Sequence, residues 1–72
     1  MKFTIYVKGV TKGSETRQLA DGTTIEQLRE IEPGLNEEGI VVLSNGAKVD
    51  DDYVISEGDV IVGSSEDKGG SL

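Results

Sequence analysis

From Lys2 to Lys8 the chain alternates, with Phe3, Ile5 and Val7 set against Thr4, Tyr6 and Lys8. A period of two marks a strand with one buried face, and it predicts the first strand. Gly9, Gly13 and Ser14 break the alternation. Glu15 to Leu19 then reads as a second strand returning antiparallel, although Leu19 is its only plainly apolar residue. Asp21-Gly22-Thr23 punctuates the chain again, and Thr24 with Gln27 three residues on forms a capping box, in which each side chain satisfies the other's backbone amide. A helix of about two to three turns should follow. Ile25, Leu28 and Ile31 form its apolar stripe, Glu26, Gln27, Arg29 and Glu30 its wet side, and Pro33-Gly34 its end.

The apolar run Ile40-Val41-Val42-Leu43, the pair Asn45-Gly46 and then Ala47-Lys48-Val49 predict a tight hairpin, because Asn and Gly both tolerate the positive φ of a type I′ turn. An acidic connection from Asp50 to Gly58 carries Tyr53, Val54 and Ile55, and Asp59 to Gly63 reads as the last strand. Residues 64–72 hold no aromatic or β-branched residue and read as an exposed, mobile tail on a domain spanning 1–63. The order strand, strand, helix, strand, short strand, strand is that of an α+β domain: a mixed four- to five-stranded sheet with one helix packed on one face. The first and last strands can lie parallel at its centre. The predicted core is Phe3, Ile5, Val7, Leu19, Ile25, Leu28, Ile31, Val42, Val49, Ile55, Val60 and Val62.

Composition narrows the chemistry. Seventy-two residues, of which fourteen are Val or Ile, suit one small strand-rich domain that closes a core without enclosing a roomy pocket. Cysteine and histidine are absent, which removes thiolate and imidazole catalysis and zinc ligation. The chain is therefore not expected to be an enzyme or to bind a cofactor. Fourteen acids against seven bases give a net charge of -7, unfavourable for nucleic acid or an anionic membrane surface. No apolar stretch approaches a membrane span and Met1-Lys2-Phe3-Thr4 does not read as a signal peptide, so a soluble cytoplasmic protein is expected. Asp50-Asp51-Asp52 lacks the spacing of a calcium loop and reads as a solvated turn. Gly9 to Ser14 has the residue types of a phosphate loop in the wrong order and reads as a hairpin loop.

These features in order, namely the alternating first strand, Asp21-Gly22-Thr23-Thr24-Ile25 with Leu28, Asn45-Gly46 with Val49, Glu57-Gly58-Asp59-Val60, and Gly69-Gly70, cover essentially the whole chain. They resemble the ubiquitin-like β-grasp family, which includes protein modifiers, archaeal small modifiers and the sulfur carriers of thiamine and molybdopterin synthesis. The resemblance implies that an E1-like enzyme, using ATP, adenylates a terminal glycine carboxylate, after which a protein amine or sulfur displaces AMP. Gly70 would be the reacting residue and Gly69 the slender one before it, since a terminus without Cβ threads a narrow channel. Ser71-Leu72 follow the diglycine, so Gly70-Ser71 reads as a processing site for a zinc-dependent deubiquitinase-like protease. The further implied partners are an E2-like enzyme and target proteins. Processing favours a modifier; a sulfur carrier forming a C-terminal thiocarboxylate and a non-reactive binding module stay open as alternatives. In this family the sheet face away from the helix receives partner domains, and Tyr6, Val41, Leu43 and Ile61 are expected there as a partner-binding surface. Lys2, Lys8, Lys12, Lys48 and Lys68 are available acceptors for chain formation, none favoured over the others.

Overall fold

The structure, a computed structural model, describes residues 1–65. The strands are β1 (Lys2–Val7), β2 (Glu15–Gln18), β3 (Ile40–Ser44), β4 (Ala47–Lys48) and β5 (Val60–Ser65), with one helix, α1 (Ile25–Ile31), and a 3-10 turn at Pro33–Asn36. They form one five-stranded sheet in the order β2-β1-β5-β3-β4. β1 and β5 are parallel neighbours at its centre and the other pairings are antiparallel, as the element order predicts. No helix among the described residues is long and apolar enough to cross a membrane.

The local signals act as read. Thr24 caps α1 with both halves of the capping box formed: the Gln27 amide donates to the Thr24 hydroxyl and the Thr24 amide to Gln27 Oε1. Two further amides at the helix start are satisfied by the acidic connection, Ile25 donating to the Tyr53 carbonyl and Glu26 to that of Asp51, each at 3.0 Å. Asn45 has φ 53° and Gly46 φ 87°, so this pair turns β3 into β4 without strain that a β-branched residue would meet.

The core contains Phe3, Ile5 and Val7 from β1, Ile25 and Leu28 from α1, Val42 from β3, Ile55, and two residues outside the predicted set, Leu35 and Ile61. The differences have geometric causes. Ile31 is 53% exposed. At about 100° per residue it lies roughly 120° round the helix from Ile25, off the face that Ile25 and Leu28 share. The helix stops there, Glu32 turns extended, and the 3-10 turn drops Leu35 into the place expected of Ile31. Along β5 the predicted phase is inverted: Ile61 is fully buried while Val60 is 42% exposed and Val62 half-buried. The strand also runs two residues beyond Gly63, Ser64 and Ser65 pairing with Val41 and Ile40 through backbone bonds that need no apolar side chain.

Gly63 explains the inverted phase. It faces the helix side, where a Cβ would overlap the Leu35 side chain, and Ile61 two residues earlier shares its face. Leu35 and Gly63 thus close one end of the core as a large-small pair.

A polar node holds the other end. Asp59 is 6% exposed. Its Oδ2 accepts from the Ser56 amide at 2.9 Å and the Tyr53 hydroxyl at 2.7 Å, and its Oδ1 from Asn45 Nδ2 at 3.1 Å. Ser44 in turn donates to the Tyr53 hydroxyl at 3.2 Å. Asn45 also brackets the start of β5, its amide donating to the Val60 carbonyl and its Oδ1 accepting from the Val60 amide. Burial alone would raise the Asp59 pKa, but the bonds from Ser56, Tyr53, Asn45 and Ser44 outweigh it and hold the carboxyl below its ordinary value.

Two predictions follow from these contacts. Gly63→Ala should cost about 1–3 kcal/mol. Chemical denaturation should show the loss reduced in a Gly63→Ala, Leu35→Val double variant relative to the sum of the singles, whereas full additivity would mean that the two residues do not share this space. Because the folded pKa of Asp59 is depressed, its contribution is complete above the unfolded value near 3.9 and is lost as pH falls through the folded value. Asp59→Asn should therefore be about 1–3 kcal/mol less stable at neutral pH and should flatten the acid limb of a stability-against-pH curve below about pH 4. An unchanged acid limb would contradict that assignment.

Candidate functional site

The face of the sheet away from α1 follows from the register. Thr4, Tyr6 and Val7 of β1 stand beside Val60, Val62 and Gly63 of β5, and Leu43 of β3 stands between Val62 and Lys48. With Phe3, Ile5 and Val7 turned to the core, Tyr6, Val60, Val62, Val41 and Leu43 share the opposite face. The row Tyr6–Val62–Leu43 crosses the three central strands, with Val60 and Val41 on either side of it along the strands. Three of the residues expected on this face, Tyr6, Val41 and Leu43, are there and half-buried.

Ile61 is not. It is fully buried beside Ile5 on the helix side, and Val60 and Val62 take the place that the sequence reading gave to it. Gly63 was the available signal: a glycine inside a strand marks a close approach, and it sets which neighbours turn inward.

Lysines rim this apolar row. Lys2 lies on the Tyr6 side of β1, Lys8 follows the same parity just past the strand's end, and Lys48 pairs opposite Leu43. Thr4, Thr16 and Gln18 complete the β1-β2 end with neutral polar groups. The face offers an apolar centre with a polar border, which is the make-up of a docking surface rather than of a reaction centre.

The chain's arginines lie on the helix side. Arg17 bridges Glu15 at 2.9 Å and Glu32 at 3.1 Å, tying β2 to the end of α1, and these bonds raise its pKa against the opposing effect of burial. Arg29 donates to Asp51 Oδ1 at 2.8 Å and to the Leu35 carbonyl. A shallow open groove lies between this Arg29–Asp51 pair and the β3-β4 edge, floored by Ile40, Val42 and Val49. Asp50, Asp51 and Asp52 are all exposed, and Asp51 is spent on Arg29. Among the described residues no group of three or more His, Cys, Asp or Glu could hold a metal ion.

The expected activation residues Gly69 and Gly70 and the processing position Ser71 lie outside the described residues. What is described is their point of attachment. β5 is hydrogen-bonded on both sides, to β1 and β3, and Ser65 at its end pairs with Ile40. Three residues, Glu66, Asp67 and Lys68, stand between that anchor and the diglycine. Five residue steps span at most about 18 Å, which sets how far Gly70 can stand from Ser65.

No family model matches this chain, and no curated protein matches it in sequence. In structure it is similar to SAMP1 from Haloferax volcanii, with a TM-score of 0.72 at 15% sequence identity, over 97% of this chain and 100% of that one. At so low an identity the two chains share their path through space, with most side chains replaced. The likeness and the strand order with β1 and β5 parallel at its centre agree: the chain has the ubiquitin-like β-grasp fold.

Proposed function

We propose that this chain is a ubiquitin-like protein modifier whose reactive group is the carboxylate of Gly70. Hydrolysis of the Gly70–Ser71 bond, by a zinc-dependent deubiquitinase-like protease, releases Ser71-Leu72 and creates that carboxylate. In an E1-like enzyme it attacks the α-phosphate of ATP and expels pyrophosphate, giving an acyl-adenylate. In the direct route an amine of a target protein attacks the carbonyl carbon, forms an isopeptide bond and displaces AMP; where an E2-like enzyme takes part, a cysteine thiol of the enzymes first displaces AMP to give a thioester, and the target amine then displaces that thiol. The chain supplies the electrophile and the partner enzymes supply the catalysis.

The observation that carries this reading is the attachment of Gly69-Gly70 close behind β5, the strand held on both sides at the centre of a domain similar in fold to SAMP1 from Haloferax volcanii. Glycine suits the reacting position because a terminus without Cβ enters a narrow channel and takes backbone angles closed to other residues. The open sheet face complements it as the grip: an activating enzyme must hold the folded part while the terminus reaches its nucleotide, and the row Tyr6–Val62–Leu43 offers that hold.

Co-expression with a candidate E1-like enzyme and protease, read by intact mass, tests the chemistry. The expected products are a chain lacking Ser71-Leu72 and target proteins heavier by the trimmed chain, with conjugation abolished by deletion of Gly69-Gly70. A terminal mass shifted by one sulfur in place of one oxygen, with no conjugates, would identify a sulfur carrier instead. Normal function after deletion of residues 69–72 would leave only a binding module. On the surface, Val62→Asp should lower conjugation by about tenfold or more, the scale of losing one apolar anchor, at a temperature well below the thermal midpoint, which an aspartate in a central strand lowers by about 4–8 °C. Unimpaired conjugation would remove the face from the reading.

A further inference from the structure

Asn45-Gly46 is the chain's only asparagine-glycine pair, the pairing at which an asparagine is most open to attack by its own backbone. The next amide nitrogen adds to the side-chain carbonyl carbon, and glycine puts no Cβ in its way. Asn36 is followed by Glu37, whose side chain crowds the same approach. Both residues of the pair are exposed, and nothing lies within 4 Å of where a Cβ on Gly46 would stand. Neither crowding nor lack of water protects this bond.

Hydrogen bonds do. Asn45 Nδ2 donates to Asp59 Oδ1 at 3.1 Å and its Oδ1 accepts from the Val60 amide at 3.0 Å, so both ends of the side-chain amide are held toward β5. The Asn45 backbone amide is fixed to the Val60 carbonyl at 2.9 Å. To bring Cγ onto the Gly46 nitrogen the side chain must turn away and give up both of its bonds. Asp59 cannot follow it, being anchored by the Ser56 amide and the Tyr53 hydroxyl.

We propose that Asn45 is a site of spontaneous, irreversible deamidation that the Asp59 node keeps shut in the folded chain. When the node opens, the Gly46 nitrogen loses its proton and bonds to Asn45 Cγ, the Cγ–Nδ2 bond breaks, and ammonia leaves a cyclic succinimide behind. Water then opens the ring at either carbonyl. One cut yields aspartate, the other isoaspartate with a methylene added to the backbone; in sum, water is consumed and ammonia released. Neither product restores the node. Aspartate sets a carboxylate against Asp59 where an amide donor stood, and like charges at that distance repel. Isoaspartate lengthens the tight turn that pairs Ser44 with Ala47. An opening that lasts long enough for ring closure is thus recorded as a hairpin that no longer clamps the start of β5.

The test follows the full chain at neutral pH by intact mass, with peptide mapping to place the product and methylation by an isoaspartate methyltransferase to identify it. The folded chain should convert about thirtyfold or more slowly than the urea-unfolded chain, the scale of one charged and one neutral side-chain hydrogen bond. Its rate should be insensitive to low urea, because opening the node exposes little surface. Asp59→Asn and Gly63→Ala lose comparable stability, yet Asp59→Asn should convert about tenfold faster, since it alone weakens the hold on Asn45. Equal rates in the folded and unfolded chain would overturn the protection. A rate rising with urea in step with global unfolding, or equal acceleration by the two variants, would give control to whole-chain unfolding and overturn the role of the node. The urea dependence needs no variant, so it decides the matter even where Asp59→Asn fails to fold. Product at Asn36 in place of Asn45 would remove the site.

Discussion

The parallel pairing of β1 with β5 is the constraint on which the rest of the molecule depends. Setting Ile5 beside Ile61 fixes the parity of the two central strands, and every other assignment of face follows from it. A slip of one residue would turn Val60 and Val62 toward the helix and Ile61 to water, and Gly63 would lose its place under Leu35. The same pairing brings Tyr6, Val62 and Leu43 into one row. The core and the candidate docking surface are two sides of one register.

Register alone does not hold the strand starts in place, and the Asp59 node does. One carboxylate gathers the hairpin through Asn45, the acidic connection through Tyr53 and Ser56, and the entry to β5 through its own backbone, whose carbonyl accepts from the Thr4 amide. Asn45 has two separate jobs, since the residue that accepts the positive φ of the turn also brackets Val60. A buried acid that accepts from three donors is cheaper to keep charged than its burial suggests, because each bond stabilises the ionised form.

Much of this was legible in the residues. Alternation gave β1, the Thr24–Gln27 capping box gave the start of α1, and Asn45-Gly46 gave the hairpin, since each signal is local and acts within a few residues. The order of elements carried the topology. The phase of β5 was not legible from its own three apolar residues, Val60, Ile61 and Val62, which satisfy either parity. It is decided by partners far away in sequence, Ile5 on one side and Ser44 on the other. Leu35 was missed for a related reason: it reaches the core from a 3-10 turn with no period to read, after Glu32 has ended the helix. For the candidate site, three of four surface residues were legible, and the fourth failed with the strand phase that placed it.

The central position of β5 has a mechanical consequence. A pull exerted on the chain beyond Ser65 enters the sheet along the one strand flanked by β1 and β3 together, so it loads two ladders of backbone bonds in shear instead of peeling an edge. Resistance to traction depends on the rate of forced rupture rather than on equilibrium stability. A domain tethered through this end is therefore built to withstand being towed, and a motor that unravels it should find easier purchase at β2 or β4.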